Sequence, residues 1–336
     1  MNSLKILTAS LLISVAFSAH AEETKSYKED KNGNSVYIKK IDPKGNYSGF
    51  YNTMEQVGKS NSIFVQQERT GNNSSFSNYL KQDGDKNSYN IDQVGYGHDI
   101  NARVKGSSNE VTLTQKGKNT NQHIQVSGDK NKINAISANN NNTNTVVIDG
   151  NNNSVKSVNR NYGKSNISTF VNGDGNITSI NVNKVEKSTA IIFATGNKNN
   201  FSISQEGAEN QNNLTAEINA DHTKYDKSGK NGKSGLNNNI GSISQKGNNN
   251  DASIDFGGTA YATPYPYDQI GVSEYNVSSI TQEGLYNQAQ ISQSGHNNNA
   301  SITQSGPGFS ASIVQDGSNN RASIKQQAPA AIVYFN

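Results

Sequence analysis

The five histidines, His20, His98, His123, His222 and His296, lie far apart, and no two have the spacing at which imidazoles share a metal ion. Cysteine is absent, which excludes disulfides and thiolate metal sites. Gly173-Asp174-Gly175-Asn176 and Asp83-Gly84-Asp85 have the composition of calcium turns, but the nonapeptide repeat of calcium β-rolls is missing. No glycine loop ends in Lys-Ser or Lys-Thr to cradle phosphate, and no serine sits on a nucleophile elbow. An ice-binding face needs an array of Thr-x-Thr, which only Thr112-Leu113-Thr114 offers. These residues give no catalytic, cofactor or metal site. What does recur is the carboxamide. Gln282, Gln293, Gln304, Gln315 and Gln326 return every eleven residues, and each amide carries both donors and acceptors.

The elements that position these amides follow from their neighbours. Gly284, Gly295, Gly306 and Gly317 keep the same period, as do Ala289, Ala300, Ala311 and Ala322, and Ile280, Ile291, Ile302, Ile313 and Ile324. Asn287, Asn298 and Asn320 fill a fourth slot, broken once by Phe309. Within a unit Asn, Ala, Ile and Gln are spaced by two, so a β-strand puts all four on one face, whereas a helix would scatter them. Gly and its polar neighbours form the turn, with Gly supplying positive φ. The unit is therefore strand plus turn. Two units make one coil of about 22 residues, and the expected fold is an all-β, two-sheet β-solenoid. Ile280, Ile302 and Ile324 then stack at the ~4.8 Å spacing of adjacent strands. Gln282, Gln304 and Gln326 stack likewise on one sheet, with Gln293 and Gln315 on the other.

The pattern Ile-x-Gln-x-Gly-x-x-Asn-x-Ala-x-Ile-x-Gln resembles the curlin repeat, the unit of the secreted subunits of curli amyloid fibres. The resemblance implies an extracellular, fibre-forming structural protein that is exported through the periplasm. It implies self-association or co-polymerisation with another curlin subunit as the partnership, and passage through an outer-membrane secretion pore with accessory export factors. The alternative is a monomeric secreted β-solenoid adhesin that binds glycan or matrix through its insertions.

Composition agrees with a non-globular chain. Hydrophobic residues make up 31% of the 336 residues, and Trp is absent. Such a composition leans towards disorder unless a repeat supplies order, as it does here. A net charge of +3, without a basic stripe, does not point to nucleic acid.

Taken in order, residues 1–21 read as a secretory signal peptide: Lys5, the apolar run Ile6 to Phe17, and Ala19-His20-Ala21 as a cleavage site. The run is too short to span a bilayer as a helix of about 20 residues, and nothing later is apolar enough to do so. Residues 22–54 are polar and lack the frame, apart from the strand-like Gly33 to Ile38. By resemblance this segment is the address read by the secretion pore; by composition alone it is a flexible tail. Residues 55–327 form the repeat region, starting with Asn61, Ile63, Val65 and Gln67. Around 137–195 the spacing persists without glutamines, with Val155, Ile180, Ala190, Ile192 and Ala194 inward, and the frame slips near Tyr162-Gly163. Ile191 and Phe193 then face outward, as a contact between fibrils or a surface under a neighbouring loop. Insertions interrupt the frame at 219–235 and 257–274; in the second, Tyr261, Tyr265 and Tyr267 are candidates for stacking on sugars. Residues 328–336 form an apolar tail, and Pro329 cannot join a ladder.

One coil cannot fold alone, because two large apolar side chains return far less than the ordering of about 22 residues costs. Stability must come from backbone ladders and amide columns, and end rungs are left short. Asp83, Lys116, Glu206, Lys246, Glu283 and Asp316 face outward, where they solvate turns or slow premature association. No amphipathic helix closes either end, so the sequence predicts open ends.

Overall fold

The computed structural model describes residues 11–14, 23–41, 49–70, 75–138, 140–186, 188–206, 214–220, 239–248, 250–256 and 275–328. Strands and turns account for them, and no helix occurs among the described residues. The chain divides into two compact units, Met1–Gly175 and Asn176–Asn336.

The first unit begins with β1 (Leu11–Ser14), β2 (Glu23–Glu29), β3 (Ser35–Ile41), β4 (Phe50–Val57) and β5 (Ser62–Arg69). It continues with β6 (Phe76–Asp83), β7 (Ser88–Tyr96), β8 (His98–Lys105), β9 (Glu110–Lys118) and β10 (Asn121–Ser127). It ends with β11 (Lys132–Ser137), β12 (Thr143–Asp149), β13 (Ser154–Gly163) and β14 (Asn166–Asn172). One sheet has the order β1-β4-β6-β8-β10-β12-β14, the other β2-β3-β5-β7-β9-β11-β13.

The second unit has β15 (Ile177–Glu186), β16 (Ser188–Thr195), β17 (Asn200–Glu206), β18 (Leu214–Ala220), β19 (Ile240–Asn248) and β20 (Asp251–Asp255). It closes with β21 (Val277–Leu285), β22 (Gln288–Gln293), β23 (Asn299–Ser305), β24 (Ser310–Gln315) and β25 (Arg321–Gln327). Here β16-β18-β20-β22-β24 face β15-β17-β19-β21-β23-β25.

From β3 on, consecutive strands within each unit alternate between two sheets, and each pairs in parallel with the strand one coil further on, as β8, β10 and β12 do. Each unit is a two-sheet β-solenoid. The spacing-by-two rule sets which residues enter the core. In β8, Ile100, Ala102 and Val104 are buried while Asp99, Asn101 and Arg103 are exposed.

The middle follows the expected frame at the positions described. Val155, Ile180, Ala190, Ile192 and Ala194 are all buried, and Ile191 and Phe193 are half-buried on the opposite face. The slip near Tyr162-Gly163 is one added residue: Asn142 and Ser165 lie 23 apart, against 22 for the regular coils. On one sheet apolar side chains replace the missing glutamines, and on the other the buried Ser137 follows Gln115. On one sheet the slot held by Gln56 and Gln82 passes to Val104, Val126, Ile148 and Val171, all buried.

Two features depart from the expectations. The ladder starts before residue 55, because β3 pairs in parallel with β5, and β4 with β6. The N-terminal edges are also covered. Strand β2 lies antiparallel on β3, and β1 antiparallel on β4, Leu11 opposite Gln56. The rest of the signal-peptide reading, residues 1–10 and 15–22, lies outside the described residues. So do 221–238 and 257–274, which hold nearly all of the two insertions, and 329–336 of the tail.

Candidate functional site: the stacked amides

Every glutamine that the period singles out takes its place in a column. Gln282 Nε2 donates to Gln304 Oε1 at 2.9 Å, and Gln304 Nε2 to Gln326 Oε1 at 2.8 Å. On the facing sheet Gln293 Nε2 donates to Gln315 Oε1 at 2.7 Å. The first of these columns reaches back through Gln245 to Gln205, with contacts of 2.9 and 3.0 Å. The column is continuous across the places in the sequence where both insertions fall. In the first unit Gln67, Gln93 and Gln115 form a column of the same kind, at 2.9 and 2.7 Å.

The second hydrogen of each amide reaches across to the other sheet's chain. Gln293 Nε2 donates to Val277 O, Gln304 Nε2 to Gln288 O, and Gln315 Nε2 to Asn299 O, at 3.2, 2.9 and 3.1 Å. The glutamine thus ties successive coils together and also ties the end of its strand to the start of the strand before it. Buried amides are tolerated because this geometry satisfies both donor hydrogens.

Isoleucines alternate with the amides as predicted. Ile280 lies over Ile302 and Ile302 over Ile324, while Ile291 lies over Ile313. Ile280, Ile291, Ile302 and Ile313 are buried, and Ile324 on the last strand is half-exposed.

Asparagines form the other columns, at the corners. Asn298 N donates to Asn276 Oδ1 at 2.9 Å and Asn320 N to Asn298 Oδ1 at 3.0 Å. Asn287 lies in a separate column, accepting from Phe309 N at 3.0 Å and donating its own N–H to Asn250 Oδ1 at the same distance. The break at Phe309 therefore costs only its side chain's part of the column. Each asparagine also holds the next turn: Asn287 Nδ2 donates to Gly306 O, and Asn298 Nδ2 to Gly317 O, both at 2.9 Å. In the first unit Asn34, Asn61, Asn87, Asn109, Asn131 and Asn153 repeat the arrangement.

The columns are directional. Glutamine amides donate towards the C-terminal rung, and asparagine Oδ1 atoms accept from it. At the last rung this leaves unmatched groups among the described residues. Gln326 uses one amide hydrogen on Ser310 O at 3.1 Å, and Asn320 Oδ1 has no donor. Where columns begin, Gln56 Oε1 and Gln205 Oε1 are buried without a donor.

Some residues in these slots carry no sign of it in the period. Phe50 and Phe76 hold an asparagine slot and stack with ring centroids 5.1 Å apart. His98 follows, with its ring centroid 5.4 Å from that of Phe76. Its Nε2–H donates to Val94 O at 3.0 Å, and its Nδ1 accepts from the Thr120 hydroxyl at 2.6 Å. Burial lowers the imidazole's pKa and outweighs the opposing bond to Val94. Lys40 stands opposite Gln67, in the glutamine slot, with its ammonium 5.6 Å from the Phe50 ring centre. Burial pulls its pKa down to about 8. The signal that finds these residues is register against the next coil, not residue type.

Among the described residues no three of His, Asp and Glu gather to hold a metal ion. No helix there is long and apolar enough to cross a membrane. Comparison with curated proteins finds no match. The amide-bearing rungs themselves do find a counterpart. Residues 276–306, one and a half coils of the columns just described, match the family model of the Curlin associated repeat, and this one repeat supports a curlin-family protein.

Proposed function

We propose that the chain is a structural subunit of an extracellular, curli-like amyloid fibre that assembles by stacking one copy's coils on another's. The observation that carries this reading is the C-terminal end. Among the described residues strands β24 and β25 each have a single partner, and their rung leaves amide groups of Gln326 and Asn320 unmatched. Unpaired strand edges recruit other chains, and the half-exposed amides of Gln326 and Asn320 have no next rung to bond to among the described residues. A second copy relieves both. In this reading residues 1–21 direct export, 22–54 address the chain to an outer-membrane pore, and the fibre supports adhesion and a biofilm matrix. No catalytic role is proposed.

The test is to hold residues 22–336 near neutral pH and follow sedimentation together with an amyloid dye. Sedimenting fibres with the ~4.8 Å meridional reflection of stacked strands are expected. A chain that stays monomeric at high concentration would instead be an adhesin acting through its insertions.

A further inference from the structure

The N-terminal end of the second sheet is finished with a different chemistry from the rest. Asn34 opens the longest asparagine column. Asn34, like Asn87, Asn109 and Asn131, receives two bonds from the next asparagine: Asn61 N and Asn61 Nδ2 both donate to Asn34 Oδ1, at 3.0 and 3.1 Å. Asn34 has no preceding asparagine to donate to. It turns to Asp30, with Asn34 N donating to Asp30 Oδ1 and Asn34 Nδ2 to Asp30 Oδ2, both at 3.0 Å. The carboxylate supplies what a preceding asparagine would supply. Asn32 N, at 2.8 Å from Asp30 Oδ1, holds it in place.

Strand β2 does the same for the backbone. It lies on β3 from Glu29 opposite Ser35 to Glu23 opposite Ile41, antiparallel where the rungs beyond β3 pair in parallel. It covers all seven residues of β3 and is itself seven residues long, as is β25. Its exposed face carries Lys25, Tyr27 and Glu29, with Lys28 exposed as well. Charged side chains of this kind blunt an edge strand against further pairing.

The opposite end of the chain has the group that Asp30 replaces. Asn320 Oδ1 is the acceptor left over on the last rung, and β25 is the edge beside it. If β25 of one copy continued into β3 of another with the column in register, Asn320 would meet Asn34, and Ile324 would meet Ile38. Both seats, side chain and backbone, are already taken.

We propose that β2, with Asp30 at its turn, is an internal stand-in for the last rung of a second copy. It occupies the N-terminal edge of this sheet, and a neighbour's β25 seats there only after β2 swings aside. This inference rests on the fibre reading. It makes departure of β2 a step in growth, separate from the folding of the coils.

Because the chain lacks cysteine, β2 can be locked cleanly. Tyr27 and Tyr37 are opposite each other across β2 and β3. In residues 22–336, a Tyr27→Cys/Tyr37→Cys pair, once oxidised, holds the strand down. An unlocked form carries Ser26→Pro/Tyr27→Pro, since one of two successive N–H groups must face β3 and proline has neither. Asp30→Ala removes only the carboxylate. Seeded growth is followed by dye fluorescence for each form and for wild type.

The oxidised pair should stop growth, and reductant should restore it. Asp30→Ala, which loses three hydrogen bonds to a charged acceptor, and the proline form, which loses the β2–β3 pairing, should each speed seeded growth by roughly threefold or more. Equal rates for oxidised and reduced forms would overturn the stand-in while leaving the fibre reading intact. Slower growth of the proline form would also overturn it, and would make β2 an adhesive strand. Absence of sedimenting material from every form, wild type included, would overturn the fibre reading itself and the stand-in with it.

Discussion

The carbonyl oxygen of Gly128 stands 2.1 Å from the point that a β-carbon on Gly106 would occupy. The same contact, at 2.1 Å again, links Gly128 to Gly150, and Gly284 meets Gly306 O at 2.2 Å. All five glycines have φ between 117° and 141°. Successive corners are stacked so closely that the backbone of one rung fills the side-chain space of the rung before.

This predicts unequal glycines. Gly106→Ala should cost roughly 3 kcal/mol or more, combining left-handed strain with a collision against backbone. Gly308 has φ 73° and nothing within 4 Å of its would-be β-carbon. Gly308→Asn should cost no more than about 1 kcal/mol, because asparagine tolerates that region. Thermal melts of the soluble chain will separate the two.

A second prediction concerns the amide columns in assembly. Replacing Gln293, Gln304 and Gln315 by Ala should lengthen the lag before fibres far more than replacing Ser292, Thr303 and Ser312. The serine and threonine set lies on the same three strands and faces outward. Asn153 in the middle is unsuitable as a neutral comparison, because it donates to Asn131 Oδ1 and Gly173 O. Equal delays, measured at equal concentration, would place nucleation elsewhere.

Lys40 supplies a third. Its folded pKa of about 8 lies below the ordinary 10.5, because burial disfavours the charged form. Between those values the unfolded chain binds more protons, so stability should rise as pH climbs from about 8 to about 10.5. Below that window the cost of the buried charge is fully present. Lys40→Gln puts an amide opposite Gln67 and should raise the melting temperature at pH 7 and flatten this rise. Melting at a series of pH values is the measurement.

His98 acts with the same sign at a lower pH. Its folded pKa is depressed, so the unfolded chain binds more protons as pH falls below about 6.5. Stability from this site should be full above that pH and fall towards pH 5, as protonation of Nδ1 removes the acceptor for Thr120. His98→Asn should remove the loss between pH 7 and 5, read as the difference between the two melting temperatures.

The isoleucine and glutamine columns could be read from the sequence because strand parity and coil length both act on residue type. Ile280 and Ile302 are alike because each is the other's surrounding. Lys40, Phe50 and His98 hide from such a reading, since their slots tolerate any side chain whose polar ends find partners. The turn hid a second condition. Two residues after the glycine comes another left-handed position, held by Lys86, Ser108, Lys130, Asn152 and Tyr286. Backbone geometry imposes it, and so varied a set of residues gives no pattern. The stand-in at β2 hid most deeply, because an antiparallel strand at an edge owes nothing to the eleven-residue frame.

The bonds of the asparagine columns reach one coil and stop there. Asn109 and Asn131 bond within their column only to the rung before and the rung after, at 22 residues each way. Where the chain wanders, Gln205 still finds Gln245 across 40 residues and Gln245 finds Gln282 across 37. A coil is therefore a unit of inheritance. One can be copied, deleted or lengthened at its corner without any other coil having to change its sequence, so genes of this kind can vary in length while every rung keeps the same chemistry.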